Sequence, residues 1–396
     1  MTPSHSLASG AGSPPALIVL LALAAFVIAG GIHYQSPMLV AIATAFQADA
    51  ATVGWVPTLS FAGMLVGTIL LVPLGDRVDK RSLLLCQLAV LGVAQAVMAT
   101  ASSIWVLVAA SFITGACSSM AQLMIAIVAD IARPAERGRA VGTQLSALFV
   151  GILFARIVGG LIAEHFGWRF SYVLSTGMIV ALAPLLIARL PHSHPTSSAP
   201  YRALLWSVMQ LLRTHADIRR SVSIQFLLGI CYGAFWATVA PMLAAFHRLG
   251  PTEAGLIGIP GAAGLLIARP AGRWMDRSGA RPVVVTGIGC LFAAWMTLGL
   301  SAWSVVVVIV GAVLLDCGLR ASMVANQTLV NSAVPEARSR ANTLFGAHVW
   351  SGNAMGAFLA SSAFARFGWL AVCTICMLAA GLALGMHLNA ARKASV

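Results

Sequence analysis

The strongest constraint on this chain is a rhythm: runs of about twenty apolar residues, broken by short polar clusters, repeated from one end to the other. A bilayer's hydrocarbon core, roughly 30 Å thick, takes about twenty apolar residues of helix to cross. Read this way, twelve spans fall near 15–37, 52–74, 82–101, 103–130, 138–163, 168–189, 219–246, 252–270, 281–300, 303–331, 340–364 and 367–389. Only 9% of the residues are charged, against about 25% in soluble domains. A β-barrel would need alternating ten-residue segments, and the continuous runs exclude it. The expected fold is an all-α membrane protein of twelve transmembrane helices in two pseudo-symmetric six-helix bundles.

The net charge of +13 invites a nucleic-acid reading, but the positions of the cations argue for topology instead. With both termini placed in the cytoplasm, 18 of the 24 Lys and Arg residues fall in cytoplasmic segments, as the positive-inside rule requires. The basic balance therefore reports membrane orientation, and no nucleic-acid partner is expected. The first span follows a tail without Lys or Arg and without a small-residue cleavage site, so it reads as a retained helix. All seven cysteines lie inside spans, which leaves no disulfide framework. Cys373 and Cys376 form a CxxC without a histidine or a second pair, so no metal site is read there and no cofactor is expected.

Fixed-offset similarity divides the chain in two. "PAERGRA" at 134–140 precedes "PEARSRA" at 335–341 by 201 residues, "FGW" recurs at 166–168 and 367–369, and "GDRVDKR" at 75–81 matches "MDRSGAR" at 275–281. Matched landmarks in one order indicate a duplicated unit. The expected domains are an N-terminal six-helix bundle at 1–190, a cytoplasmic linker at 191–218 and a C-terminal bundle at 219–396. Within the linker, "YRALLWSVMQLLRTH" carries apolar residues at helical spacing with basic edges. It reads either as an amphipathic helix on the membrane surface or as a plain connector.

Two charge patterns exceed what topology needs. The loop after the second span packs Asp76, Arg77, Asp79, Lys80 and Arg81 into six residues, and its Asp-Arg pair recurs as Asp276 and Arg277. The expectation is a cytoplasmic latch, with Asp76 against a helix N-terminus, where the dipole favours an anion, and Arg77 or Arg81 paired with Asp130. The second pattern lies at membrane depth. Asp316 falls halfway through span ten with Arg320 four residues later on the same face. Arg156 falls about 27 Å into span five at 1.5 Å per residue. Charge at that depth costs at least about 2.5 kcal/mol and faces a cavity or a partner. One reading makes Asp316 and Arg320 a structural pair and lets Arg156 bond backbone carbonyls. The other places all three on a water-filled pathway between the halves, with Asp316 as the protonation site. Further candidates for substrate contact are His33, Tyr34 and Gln35 near the outer end of span one, Gln122, Trp236, Asn326, Gln327, and His348 and Asn353 in span eleven. Each also fits as a polar group packed between helices.

Twelve spans in two halves with this duplicated loop resemble the major facilitator superfamily, and the loop resembles its signature G-x-L-x-D-R-x-G-R-R/K. The first copy has Val72 and Asp79 where the two glycines stand and carries Gly75 just before Asp76; the second, "GRWMDRSGAR", keeps both glycines, Gly272 among them. The segments "GIHYQSPML", "VPLGDR", "RGRAVG" and "ARSRANT" are similar to the twelve-span bacterial efflux branch. That branch carries a span-five pattern resembling G-x8-G-x3-G-P-x2-G-G. Gly142, Gly151, Gly159 and Gly160 match it as a close-packing seam, with Ala155-Arg156 in place of Gly-Pro. The branch's span-four arginine is replaced by Ser111.

The resemblance implies a monomeric secondary transporter of the bacterial inner membrane, with the lipid bilayer, a small molecule and protons as partners, and no enzymatic activity. The specific expectation is proton-coupled efflux of a small neutral or anionic organic molecule by alternating access. Two arginines and two histidines around one carboxylate disfavour a purely cationic solute. The competing expectations are uptake by symport or uniport, and a non-transporting membrane sensor.

Overall fold

The computed structural model describes residues 15–193 and 200–393. The polar N-terminal tail and the middle of the Pro/Ser linker lie outside the described residues. Those residues contain no strand, and the helices make twelve passes. The first half consists of α1 (Pro15–Gly30) with α2 (Gln35–Phe46), α3 (Ala50–Val53) with α4 (Trp55–Leu74), α5 (Lys80–Ala99), α6 (Ile104–Ser118) with α7 (Met120–Ile131), α8 (Arg137–His165) and α9 (Trp168–Arg189). A linker helix, α10 (Tyr201–Thr214), follows. The second half consists of α11 (Ala216–His247), α12 (Pro251–Leu256) with α13 (Gly258–Gly261) and α14 (Gly264–Ser278), α15 (Ala280–Gly299), α16 (Val305–Ala333), α17 (Arg338–Phe367) and α18 (Trp369–Lys393).

Among the described residues, eleven of these passes are apolar enough to cross a bilayer on their own composition. The twelfth is α17, whose 30 residues would span about 45 Å at 1.5 Å per residue. It is polar because much of it faces protein: Thr343, Asn353 and Ser361 are buried, and it packs along α11 and α4. A helix sheltered by its neighbours tolerates polar side chains that lipid would exclude.

The duplication is visible as matched corners. Gly167 and Gly368 both adopt left-handed backbone, with φ of 83° and 76°, which a side chain would strain. Each turns the chain straight into a tryptophan, Trp168 or Trp369, that is 4% exposed. Trp369 Nε1 donates to the Leu298 carbonyl at 2.7 Å, so its polar edge is satisfied where its ring is buried. Other helix starts are fixed by caps: the Ser103 and Ser304 hydroxyls accept from the backbone N–H groups of Val106 and Val306, and Asp49 accepts from Thr52, the preferred N-cap chemistry.

The halves meet along two seams, α4 against α17 and α8 against α12, with α2 also reaching α11. The side carrying loop 75–79 and α10 is called the loop side here, and the opposite one the far side. Helix α10 bridges both halves on the loop side. Val208 and Leu211 are buried among Ile218, Val330, Leu344 and Phe345, while the Tyr201 hydroxyl donates to the Leu70 carbonyl at 2.5 Å. Part of its apolar face is thus turned into protein, with Trp206 and Met209 left exposed.

Three passes are interrupted near mid-membrane where continuous spans were expected. The first pass turns at residues 31–34, the fourth changes at Ser119, and the eighth is broken around Ile257 and again at 262–263. Hydropathy does not register the breaks at Ser119 and in the eighth pass, because the residues there are as apolar or small as their neighbours.

Candidate functional site

The eighth pass is built from "GLIGIPGAAGLL", four glycines and a proline in twelve residues, a composition that weakens helix continuity. The glycines allow close approach to α8 and α16. A side chain at Gly255 would overlap the Arg156 carbonyl, one at Gly261 would press on Asp316 and Trp236, and one at Gly264 would overlap the Asp316 backbone. The broken pass is thereby laid directly against the buried charges.

Arg156, Asp316 and Arg320 line one small cavity of about 20 Å³ between the halves, together with Phe149, Tyr232 and Gly258. Arg156 and Asp316 are each only 4% exposed. Arg156 donates from Nη2 to the Tyr232 hydroxyl at 3.0 Å, and its guanidinium carbon stands 3.3 Å from the centre of the Trp236 ring. A desolvated cation–π contact of this kind contributes about 2 kcal/mol or more. Its Nε has no hydrogen-bond partner. Asp316 Oδ1 accepts from Arg320 Nε at 3.4 Å, a long contact, and the Arg320 guanidinium lies 4.9 Å from the Phe149 ring across the interface. Two guanidiniums against one carboxylate leave one formal positive charge unneutralised in a buried site, where charge interactions are strong.

The backbone-carbonyl expectation for Arg156 is not met. The side chain bonds a side-chain hydroxyl and an aromatic face rather than backbone carbonyls, and its partners come from the opposite half. Tyr232 and Phe149 were missed. Tyr232 stands four residues before Trp236 in "CYGAFWA", and that spacing on one helical face was the available signal.

His33, Tyr34 and Gln35 do not lie near the far end of the first pass. Helix α2 extends it to Phe46, so His33 and Tyr34 sit in its central turn and Gln35 opens α2, and all three are buried. Gln35 accepts from the Ser60 hydroxyl at 3.1 Å; His33 lies within electrostatic reach of Arg156 and Arg320. Trp236 is the platform for Arg156. Gln122 belongs elsewhere: it donates to the Thr68 hydroxyl at 3.2 Å and lines a loop-side cavity of about 80 Å³ with Asp76, Lys80, Leu204 and Arg340. Asn353, with its amide nitrogen turned to the carbonyls, donates to Val349 and Gly229 at 3.2 and 3.1 Å, which fastens α17 to α11. His348 engages the Leu344 carbonyl of its own helix at 2.9 Å. Asn326 is 1% exposed with both amide atoms unpartnered, ten residues along α16 from Asp316, and Gln327 donates to Asn342 at the surface.

The latch is built differently from the expectation. Lys80, not Arg77 or Arg81, pairs with Asp130, at 2.6 Å, and Arg81 donates to the Ile187 carbonyl at 2.7 Å. The reason is helical phase: Asp79 caps α5, accepting from Arg81 N and Ser82 N, which sets Lys80 rather than its neighbours toward Asp130. Asp79 also receives the Ser193 backbone N–H at 2.8 Å and contacts His192 Nδ1 at 2.9 Å, tying the linker to the loop. Burial alone would raise its pKa, but the hydrogen bonds from Ser193, Ser82, His192 and Arg81 hold its carboxyl well below the usual range. A side chain at Gly75 would collide with Leu123. In the second copy, Gly272 has open space around it, and Asp276 and Arg277 are exposed on α14.

The glycine seam is also narrower than expected. Side chains at Gly151, Gly159 and Gly160 would strike Phe26, Tyr34 and Pro251, whereas Gly142 faces open space because α8 has already left its neighbours there. Gly160 packs against the other half, and beside it Glu164 accepts from the Thr252 backbone N–H at 3.2 Å. These contacts join the two halves on the far side.

The family model of the Major Facilitator Superfamily matches residues 21–222 and again 221–392. The chain belongs to the major facilitator superfamily and is a multi-pass membrane transporter acting on small molecules, not an enzyme. It is 30% identical to the uncharacterized transporter YgaY of Escherichia coli O157:H7, over 94% of this chain and 93% of that one. It is 24% identical to the multidrug efflux pump LfrA of Mycolicibacterium smegmatis, over 76% of this chain and 70% of the pump. Its fold is that of the crystal structure of the nucleoside transporter NupG, with a TM-score of 0.74 at 13% identity, covering 94% of this chain and 96% of that one.

Proposed function

We propose that this transporter exports a small neutral or anionic organic molecule in exchange for protons, rocking its two halves about the Arg156–Asp316–Arg320 cavity. The observation that carries this reading is the placement of the three charges. They come from α8 and α16, one in each half, and meet at mid-membrane where the two halves touch. A carboxylate there that alternates between protonated and ionised states changes the charge holding Arg320, and so changes how the halves attract one another. Asp316 is the proton-binding group in this reading, and Arg156 recognises the solute.

The termini face the cytoplasm of a bacterial inner membrane, as the cation distribution argues, and the protein works as a monomer. Lys80–Asp130 and the Asp79 linker contacts form a cytoplasmic latch. The seam of Gly160 on Pro251 with Glu164 on Thr252 forms the outer gate. Sequence similarity to an efflux pump supports the direction of transport.

The test is flux in inside-out vesicles under an imposed proton gradient, reading proton release as solutes are added. Export by exchange gives solute-dependent proton movement, and Asp316→Asn abolishes it while the protein still folds. Proton movement in the same direction as the solute would replace exchange with uptake by symport. Solute movement unaffected by the gradient would replace it with uniport, and unchanged transport in Asp316→Asn would remove that residue from the coupling step.

A further inference from the structure

We propose that the outward stripe of α10 docks on anionic phospholipid headgroups of the loop-side leaflet, so that this helix fastens the two halves to each other and to the membrane surface. The proposal stands apart from the exchange reading, because it concerns neither the solute nor the proton.

Helix α10 has two opposite apolar faces. On one, Leu204 lines the loop-side cavity while Val208 and Leu211 are buried against the second half. On the other, Arg202, Trp206, Met209 and Arg213 follow at spacings of four, three and four, which at 3.6 residues per turn makes a single stripe within about 60° of arc. All four are exposed, Trp206 by 58% and Met209 by 50%. A tryptophan and a methionine framed by two arginines, in a helix without an acidic residue, is the composition of a helix lying at a membrane interface. The depth agrees. The Tyr201 hydroxyl donates to the Leu70 carbonyl, and Leu70, one turn before the end of the apolar span α4, has a side chain 40% exposed. That contact fixes the start of α10 about 6 Å inside the loop-side end of α4, within the boundary zone of roughly 5–10 Å that interfacial helices occupy. The charge agrees as well. Among the described residues neither Arg202 nor Arg213 joins an ion pair, and the Arg213 guanidinium lies 5.0 Å from the centre of the Trp206 ring, a cation held at the edge of the apolar patch. The two arginines stand about 16 Å apart along the helix axis, so they address a row of headgroups rather than one small anion. An anionic membrane surface favours each such cation by a factor of about five.

Cross-linking from α10 tests this on the full-length protein in nanodiscs of phosphatidylcholine with a minority of phosphatidylglycerol. With p-benzoylphenylalanine in place of Met209, irradiation followed by mass spectrometry reads which lipid the stripe touches. The ratio of phosphatidylglycerol to phosphatidylcholine adducts is expected to exceed the ratio in the disc by about tenfold. Arg202→Gln combined with Arg213→Gln should return it to the disc ratio, and about 0.5 M salt should remove most of the excess. Arg137→Gln takes away an exposed loop-side cation at the start of α8 and should leave the ratio unchanged. Both α10 arginines are exposed, so the double variant is expected to keep the wild-type Tm in pure phosphatidylcholine, which separates lost binding from lost folding. If that variant unfolds, the salt dependence with both arginines present decides alone. Adducts in the disc ratio, adducts with neither lipid, or a cross-link to a second copy of the chain would each overturn the proposal. Loss of the excess on adding inorganic phosphate at constant ionic strength would overturn it too, by making the stripe a small-anion site.

Discussion

The two seams between the halves are made of different matter. Along α4 and α17 the contact is dry and aromatic: Phe61 stacks on Trp350 with ring centres 6.1 Å apart, and Trp55 meets Phe358 at 5.1 Å. Along α8 and the eighth pass it is bare backbone on bare backbone at the far side, then buried charge. The first seam holds by dispersion and burial, which do not change with protonation. The second holds by close approach of glycines and by electrostatics, which a proton or a solute alters. In the exchange cycle proposed above, the first kind of contact suits a hinge and the second a gate.

Perturbing the gate should have the largest effect. Gly160→Leu drives a side chain into the Pro251 backbone, and no flexible neighbour can yield. Transport is expected to fall below about a tenth of wild type, with overpacking of the seam read out as increased thiol labelling of a single cysteine introduced on the far side. On the hinge, Trp350→Ala should cost about 2 kcal/mol, part of the core-aromatic penalty because the ring is half-buried, seen as a lower Tm in nanodiscs. Transport per folded molecule should persist. If the loss fell instead on transport with Tm unchanged, the two roles would be reversed.

Smaller effects come from the edges. Glu164→Gln keeps a weak acceptor for Thr252, so a change in transport of only about twofold is expected, in keeping with an exposed contact. The two copies of the charged loop should also part company. Asp79→Asn keeps a capping oxygen but removes the charge behind the hydrogen bonds to Ser193 and Ser82, about 1 kcal/mol, whereas Asp276→Asn should change Tm negligibly. Asp79 is depressed in the folded state, so its contribution is complete above its unfolded pKa of about 3.9 and lost only as pH falls through the lower folded value. The Asp79→Asn difference should therefore stay constant from about pH 5 to 8, and a difference that changed within that window would rule out the Asp79 carboxylate as its source.

Much of the architecture was legible because lipid permits so little. The eleven apolar passes, the duplication and the matched "FGW" corners all follow from hydropathy and local backbone chemistry. So did the central charges, since an arginine or aspartate at that depth demands a partner whatever the fold. The partners were not legible. Tyr232 lies 76 residues from Arg156, and nothing in either segment names the other. Lys80 was passed over for its neighbours because which of three adjacent cations reaches Asp130 depends on the rotation of α5 about its own axis. Gly142 matched the span-five spacing, yet spacing alone does not say where a neighbouring helix ends. Asn353 read as a site residue because polar groups in lipid are rare, and its carbonyl partners on α11 become visible only when the helices are packed.

By itself the sequence determined what each segment must avoid: apolar runs must leave water, charges must leave lipid, and a glycine must stand at a left-handed corner. These are properties of single residues and their near neighbours in solvent. Only the tertiary structure decided that Arg156 rests on Trp236, that the broken eighth pass seals Asp316, and that one seam is aromatic while the other is charged. Those outcomes depend on the relative rotation and closest approach of helices distant in sequence, which steric fit of whole surfaces sets and no local pattern encodes.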